Sequence, residues 1–174
     1  MEAAADLIPF EPPPPDCYKA GMLKPVKIKS GRAHGETFAI VASCYNARYV
    51  DAMLRAAKAV LLRAGAKVRI VRVPGAYEIP VVAKTLSAKN PGLAGILCLG
   101  VILRGETTHA AHIGEAVSNA LMQIQLAHHL PVIHEVLLLE NEAQARVRCL
   151  GRKHNRGTEA AQTALKMARV MASI

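Results

Sequence analysis

The chain has 174 residues, 52% of them hydrophobic, and 22 Lys and Arg against 13 Asp and Glu give a formal charge of +9. That length suits one domain with a real core, and no apolar run approaches the roughly 20 residues of a membrane span. Four scattered cysteines (Cys17, Cys44, Cys98, Cys149) with no CxxC pair argue against a zinc or disulfide framework and fit a reducing cytoplasm.

Residues 1–35 differ from the rest. The segment Phe10-Glu-Pro-Pro-Pro-Pro-Asp16 has polyproline character, and Lys24 to Arg32 is basic without periodicity. An acidic, Pro-rich start is not a secretory signal. We expect an N-terminal strand or tail, flexible or draped on a neighbour, followed by a folded domain over 36–174. Within that domain Phe38-Ala-Ile-Val-Ala42 reads as a strand. Val50, Met53, Leu54, Ala57, Val60, Leu61 and Ala64 keep helical spacing, and Gly65 is placed to stop that helix. Val68 to Val73 alternates apolar and basic residues as a second strand. Ile79 to Leu86 is a short helix with Pro80 in its first turn. The apolar run Gly95 to Leu99 is a third, buried strand ending at Gly100. Ile113, Val117, Leu121 and Ile124 mark a long helix, and Pro131 to Leu139 a fourth strand. Gln144 to Leu150 reads as a short helix, and Ala161, Ala164, Leu165, Ala168 and Met171 as the closing one. Such alternation predicts an α/β, three-layer sandwich with a four-stranded parallel sheet covered on both faces.

Chemistry concentrates in Leu99-Gly-Val-Ile-Leu-Arg-Gly-Glu-Thr-Thr-His109. Ligands of open parallel sheets bind at the carboxyl ends of the strands. A loop entering a helix offers unpaired backbone N–H groups to an anion, and His109 adds a titratable imidazole. The same residues also suit an ordinary capped helix with a surface His. Arg146, Arg148, Arg152, Lys153 and Arg156 form a compact basic group. It fits a phosphorylated small molecule, a nucleic-acid backbone or a solvated helix face. Two Phe and four Tyr are few stacking platforms for nucleic acid. His109 and His112, or His128 and His129, lack a third ligand at a recognisable spacing, so no metal is expected. Gly100 and Gly105 make no dinucleotide fingerprint.

Four segments occur in one order: Val73-Pro-Gly-Ala-Tyr-Glu-Ile-Pro80, Leu99 to His109, Pro131-Val-Ile followed by Glu140-Asn-Glu-Ala-Gln-Ala145, and Asn155-Arg-Gly157. Over residues 37–172 the chain thereby resembles the lumazine synthase family of riboflavin biosynthesis, with a flavodoxin-like fold. The resemblance implies condensation of 5-amino-6-(D-ribitylamino)uracil with 3,4-dihydroxy-2-butanone 4-phosphate, without a cofactor. It also implies a homo-oligomer, a pentamer or an icosahedral sixty-subunit shell, with sites shared between neighbouring subunits. Riboflavin synthase is then a candidate partner; nucleic acid and membrane are not.

On that resemblance His109 is the catalytic proton shuttle. Tyr45 carries the pyrimidine, with Asn46 beside it. Ala76, Tyr77 and Glu78 contact the ribityl chain and pyrimidine, and Val101, Ile102 and Leu103 offer backbone groups. Glu106 and Thr107 hold phosphate through backbone N–H and hydroxyl, although Glu106 equally suits a helix first turn. Arg148, from the adjacent subunit, and Arg156, where the family usually has Lys, add positive charge. His134 stands where the family places a Phe near the pyrimidine. Further departures are Cys44 for Arg, Ala110 for an aromatic, Glu135 for Gly, and Leu138 and Leu139 for a Thr pair. Ala110 and His134 motivate an alternative, a relative that binds flavin-like ligands or forms a shell without turnover.

Overall fold

A computed structural model describes Ala33, residues 35–151 and residues 154–174. Almost all of the expected N-terminal strand or tail lies outside the described residues, as do Arg152 and Lys153 of the basic group. The elements run β1 Thr37–Ser43, α1 Ala47–Arg63, β2 Lys67–Val73, α2 Ile79–Lys89, β3 Leu93–Leu103, α3 His109–His128, β4 Val132–Leu139, α4 Glu142–Ala145, a π-helical turn Arg146–Leu150, and α5 Arg156–Ala172.

The strands form one parallel sheet in the order β2-β1-β3-β4. Alternate residues of the buried strands face opposite sides. Ile40, Leu97, Leu99 and Ile133 pack with Met53 and Leu61 of α1 and with Ala161 and Leu165 of α5. Val41, Ile96, Cys98 and Val136 pack with Ile79 and Ala83 of α2 and with Val117 and Leu121 of α3. Buried on both faces, β1 and β3 read as continuous apolar runs. The edge strand β2, largely exposed, keeps its alternating Lys and Arg. The α/β sandwich expected from the alternation is the observed fold. Among the described residues no helix is long and apolar enough to cross a membrane.

Gly65 ends α1 as its position suggests. It takes φ +90°, and its N–H bonds to Leu62 O while that of Ala66 bonds to Leu61 O, which satisfies two terminal carbonyls. Two expectations need correction. β3 does not stop at Gly100 but continues to Leu103. Gly100 is a mid-strand packing glycine: a Cβ there would meet Val136 at 3.1 Å and Ile79 at 3.3 Å. The short helix expected over Gln144–Leu150 is instead α4 followed by the π turn. Glu142 holds that segment against α1, its carboxylate accepting from the Tyr49 hydroxyl and from Arg146, each at 3.1 Å.

Candidate functional site

In a sheet ordered 2-1-3-4 the chain reverses its direction of winding between β1 and β3. A crevice opens outside the carboxyl ends of those strands. A cleft of about 810 Å³ lies there.

Its first wall follows β1. The residue entering α1, Asn46, has left-handed backbone (φ 56°), which Asn tolerates better than most residues. Its Nδ2 donates to Val101 O at 2.7 Å, tying the β1 exit to the β3 exit. Tyr45, just before it, is largely exposed at the cleft rim, 73% accessible. Its ring supplies a wide apolar face that folding leaves uncovered. The second wall is the β2–α2 connection. The N–H groups of Cys44 and Tyr45 bond to the Val73 and Pro74 carbonyls. Glu78 accepts from Gly75 N–H at 2.8 Å, which closes the turn that presents Ala76 and Tyr77 to the cleft.

Val101, Ile102 and Leu103 form the floor at the end of β3. The loop 104–108 then leads into α3, with Gly105 and Thr107 on the cleft. His109 is the first residue of α3, exposed, and also lines the cleft. Among the described residues the Thr108 side chain makes no capping hydrogen bond, and no acid stands in the first helical turn. The helix therefore opens toward the cleft with N–H donors that an anion can accept. Glu106 precedes the helix rather than standing in its first turn, and its side chain does not line the cleft.

The structure thus brings together Tyr45, Asn46, Ala76, Tyr77 and Glu78 with Val101, Ile102, Leu103, Thr107 and His109. It leaves Glu106, His134, Arg148 and Arg156 outside the cleft of the same chain. Sequence reading missed His112, Ile113 and Ala116, which line the cleft beside His109 and Ala110. The three-to-four-residue spacing from His109 was the available signal. Among the described residues no group of three or more His, Cys, Asp or Glu is placed to hold a metal ion.

The residues outside the cleft have their own geometry. His134 lies on the α3 face of β4, with Nε2 2.9 Å from Ser118 Oγ. The Ser118 hydroxyl proton goes to Gly114 O at 2.7 Å, so the His134 Nε2–H is the donor in that pair. Partial burial holds this imidazole below its ordinary pKa, against a backbone hydrogen bond that raises it. Arg148 is exposed on the π turn. Arg156 opens α5 and is held by two carboxylates. Its Nε and Nη2 reach Glu135 at 2.9 Å each, and its Nη1 reaches Glu159 at 2.6 Å. Glu135 is 5% exposed. Burial pushes its pKa up to about 7, against the pull of Arg156.

The family model of 6,7-dimethyl-8-ribityllumazine synthase matches residues 35–172. Three curated proteins that carry this name are similar to the chain. One from Stenotrophomonas maltophilia (strain R551-3) is 39% identical over 137 residues, 77% of this chain and 88% of its own length. One from Xylella fastidiosa (strain 9a5c) is 38% identical over 139 residues, 78% and 90%. One from Xanthomonas campestris pv. campestris (strain B100) is 37% identical over 137 residues, 77% and 88%.

Proposed function

The chain belongs to the 6,7-dimethyl-8-ribityllumazine synthase family, and we propose that it catalyses that family's step in riboflavin biosynthesis: 5-amino-6-(D-ribitylamino)uracil and 3,4-dihydroxy-2-butanone 4-phosphate give 6,7-dimethyl-8-ribityllumazine, phosphate and water. It is an enzyme of the transferase class. The reaction joins an arylamine to a ketone, expels phosphate and closes a ring, so it needs positioning and proton transfer and no cofactor.

One observation carries the reading. A single cleft at the β1/β3 crevice holds an uncovered aromatic face, a carboxylate, an imidazole and a helix N-terminus. In this reading Tyr45 stacks on the pyrimidine. Asn46, Ala76, Tyr77 and Glu78 contact its polar edge and the ribityl chain. The backbone of Val101, Ile102 and Leu103 completes that contact. Thr107 and Glu106 bind phosphate through the loop's N–H groups and the Thr hydroxyl, and His109 takes and returns protons. Arg148, Arg156 and His134 stand outside the cleft of their own chain, which supports their delivery to the cleft of a second copy. The assembly is then a pentamer, or a shell of pentamers, in the cytoplasm. Riboflavin synthase is the partner that would take up its product.

The test is turnover of the two substrates, followed by lumazine absorbance against a protein-free control. Acceleration that Arg148→Ala strongly reduces, chiefly by raising KM for the butanone phosphate, is the expected result. A rate equal to the control with folded protein overturns it. Saturable riboflavin or lumazine binding would then favour a binding relative without turnover. That second reading draws on Ala110, a small residue on the cleft, and on His134.

A further inference from the structure

A buried carboxylate on β4 and a cation at the start of α5 face each other. The structure joins Glu135 and Arg156 in a fork. Arg156 Nε meets Glu135 Oε2, and Nη2 meets Oε1, each at 2.9 Å. Only guanidinium presents two parallel donors to one carboxylate, so Arg at 156 is the cation that suits Glu at 135. Glu159 engages Nη1 as well. The residue expected to help hold substrate phosphate is therefore already occupied by two carboxylates.

Resting on the assignment of Arg156 to the phosphate subsite, we propose that Glu135 is a positioning residue that competes with the substrate's phosphate for Arg156, so that anion binding is coupled to proton uptake at Glu135. The groups facing Glu135 are Arg156 and Glu159 from α5, and Arg148 and Cys149 from the π turn. His134 alternates to the other face of the sheet. When phosphate draws Arg156 away, Glu135 keeps its burial and loses its main counter-charge. A carboxylate so placed is costly to leave ionised and takes a proton instead. It stands ready to do so, because burial already lifts its pKa to about 7. The sign follows: the anion-bound state holds more protons at Glu135, so affinity for the anion rises as pH falls through neutrality.

Inorganic sulfate is the probe, measured as an inhibitor competitive with the butanone phosphate between about pH 6 and pH 8.5. It stays a dianion across that range, so the ligand's own titration does not enter. Any slope from groups elsewhere in the protein is common to the variants compared. We expect Glu135→Gln to bind sulfate severalfold more tightly than wild type at the alkaline end and equally at the acid end, with KM for the pyrimidine unchanged. Glu159→Gln, a change at a more accessible carboxylate, tightens sulfate while its affinity still falls as pH rises, because Glu135 is retained. It serves where Glu135→Gln fails to fold. Parallel pH curves for wild type and Glu135→Gln, or a sulfate affinity that no longer depends on pH in Glu159→Gln, overturn the proposal. Arg148→Ala and Arg156→Ala separate the two failures. If both weaken sulfate while the curves stay parallel, only the coupling is wrong. If neither weakens sulfate, the phosphate subsite is misassigned and the coupling falls with it.

Discussion

Asn46 does two jobs with one side chain: it accepts a left-handed backbone and its amide pins the β3 exit. Substitution separates them. Ala loses the hydrogen bond and is forced into a conformation that costs an L residue roughly 1–2 kcal/mol. Gly loses the bond, worth about 1 kcal/mol, and adds roughly 0.4–1 kcal/mol of unfolded-chain entropy, but takes the left-handed backbone without strain. Denaturant unfolding at fixed protein concentration should therefore rank wild type above Asn46→Gly and Asn46→Gly above Asn46→Ala. Equal losses would mean that the backbone strain in Asn46→Ala is no larger than the entropy cost of Gly. His134 makes a pH prediction. Its pKa is lowered in the fold, so the unfolded chain takes up a proton, near pH 6.5 for free imidazole, before the native one does. The stability tied to this residue is present above that value and is lost as pH falls through it. His134→Phe should flatten that acid-side decline in a melting series, and an unchanged profile would clear His134 of the effect. His109 was legible because it closes the Leu99–His109 segment that leads from strand to helix, whereas Asn46 was named only through the family resemblance. The Glu135–Arg156 fork was not legible. The two residues lie 21 positions apart, and only the pairing of β4 under α5 brings them together.

Among the described residues the alternation of apolar runs and helical spacing identified the four strands and the helices between them, because most of these elements bury a stripe of their own. Element ends were harder. Gly100 looked like punctuation, yet it answers to Val136 on the neighbouring strand and Ile79 on α2 above it, which no local window reveals. The same is true of Gly157, where a Cβ would overlap the Met53 carbonyl, so that α1 and α5 can cross closely only over a glycine. The π turn was read as plain helix because its residues, Arg-Val-Arg-Cys-Leu, suit either. What distinguishes it is its anchoring. Asn155 caps α5, accepting from Gly157 N–H at 2.9 Å and from Thr158 N–H at 3.4 Å, and its Nδ2 donates back to Cys149 O in the π turn. One side chain thus couples the start of α5, with Arg156, to the turn that carries Arg148. Asn155→Ala should cost about 1 kcal/mol as a lost cap, read by thermal or denaturant unfolding. It should also raise KM for the butanone phosphate more than KM for the pyrimidine. A stability loss with both Michaelis constants unchanged would confine Asn155 to capping.

At the scale of the whole molecule, the candidate site residues fall into two groups. Tyr45, Asn46, Ala76, Tyr77, Glu78 and His109 share the cleft, while His134, Arg148 and Arg156 stand away from it on β4, the π turn and α5. If phosphate chemistry needs both groups, two chains must meet at each site, and a defect in one group can be complemented by a chain defective in the other. Tyr45 and His109 are exposed, so Tyr45→Ala/His109→Ala should fold while disabling the cleft. Arg148 is exposed too, and Arg148→Ala should disable the second group. Each variant alone should turn over slowly. Co-expressed in equal amounts and randomly assembled, they place an intact cleft beside an intact Arg148 in about a quarter of the sites, as a head-to-tail contact between identical chains requires. Activity of the mixture should therefore exceed the mean of its parents. Activity equal to that mean in verified mixed oligomers would show that every site is built from one chain. Arg148 would then have to reach its own cleft through a movement of the π turn, a rearrangement that the Tyr49–Glu142–Arg146 contacts resist.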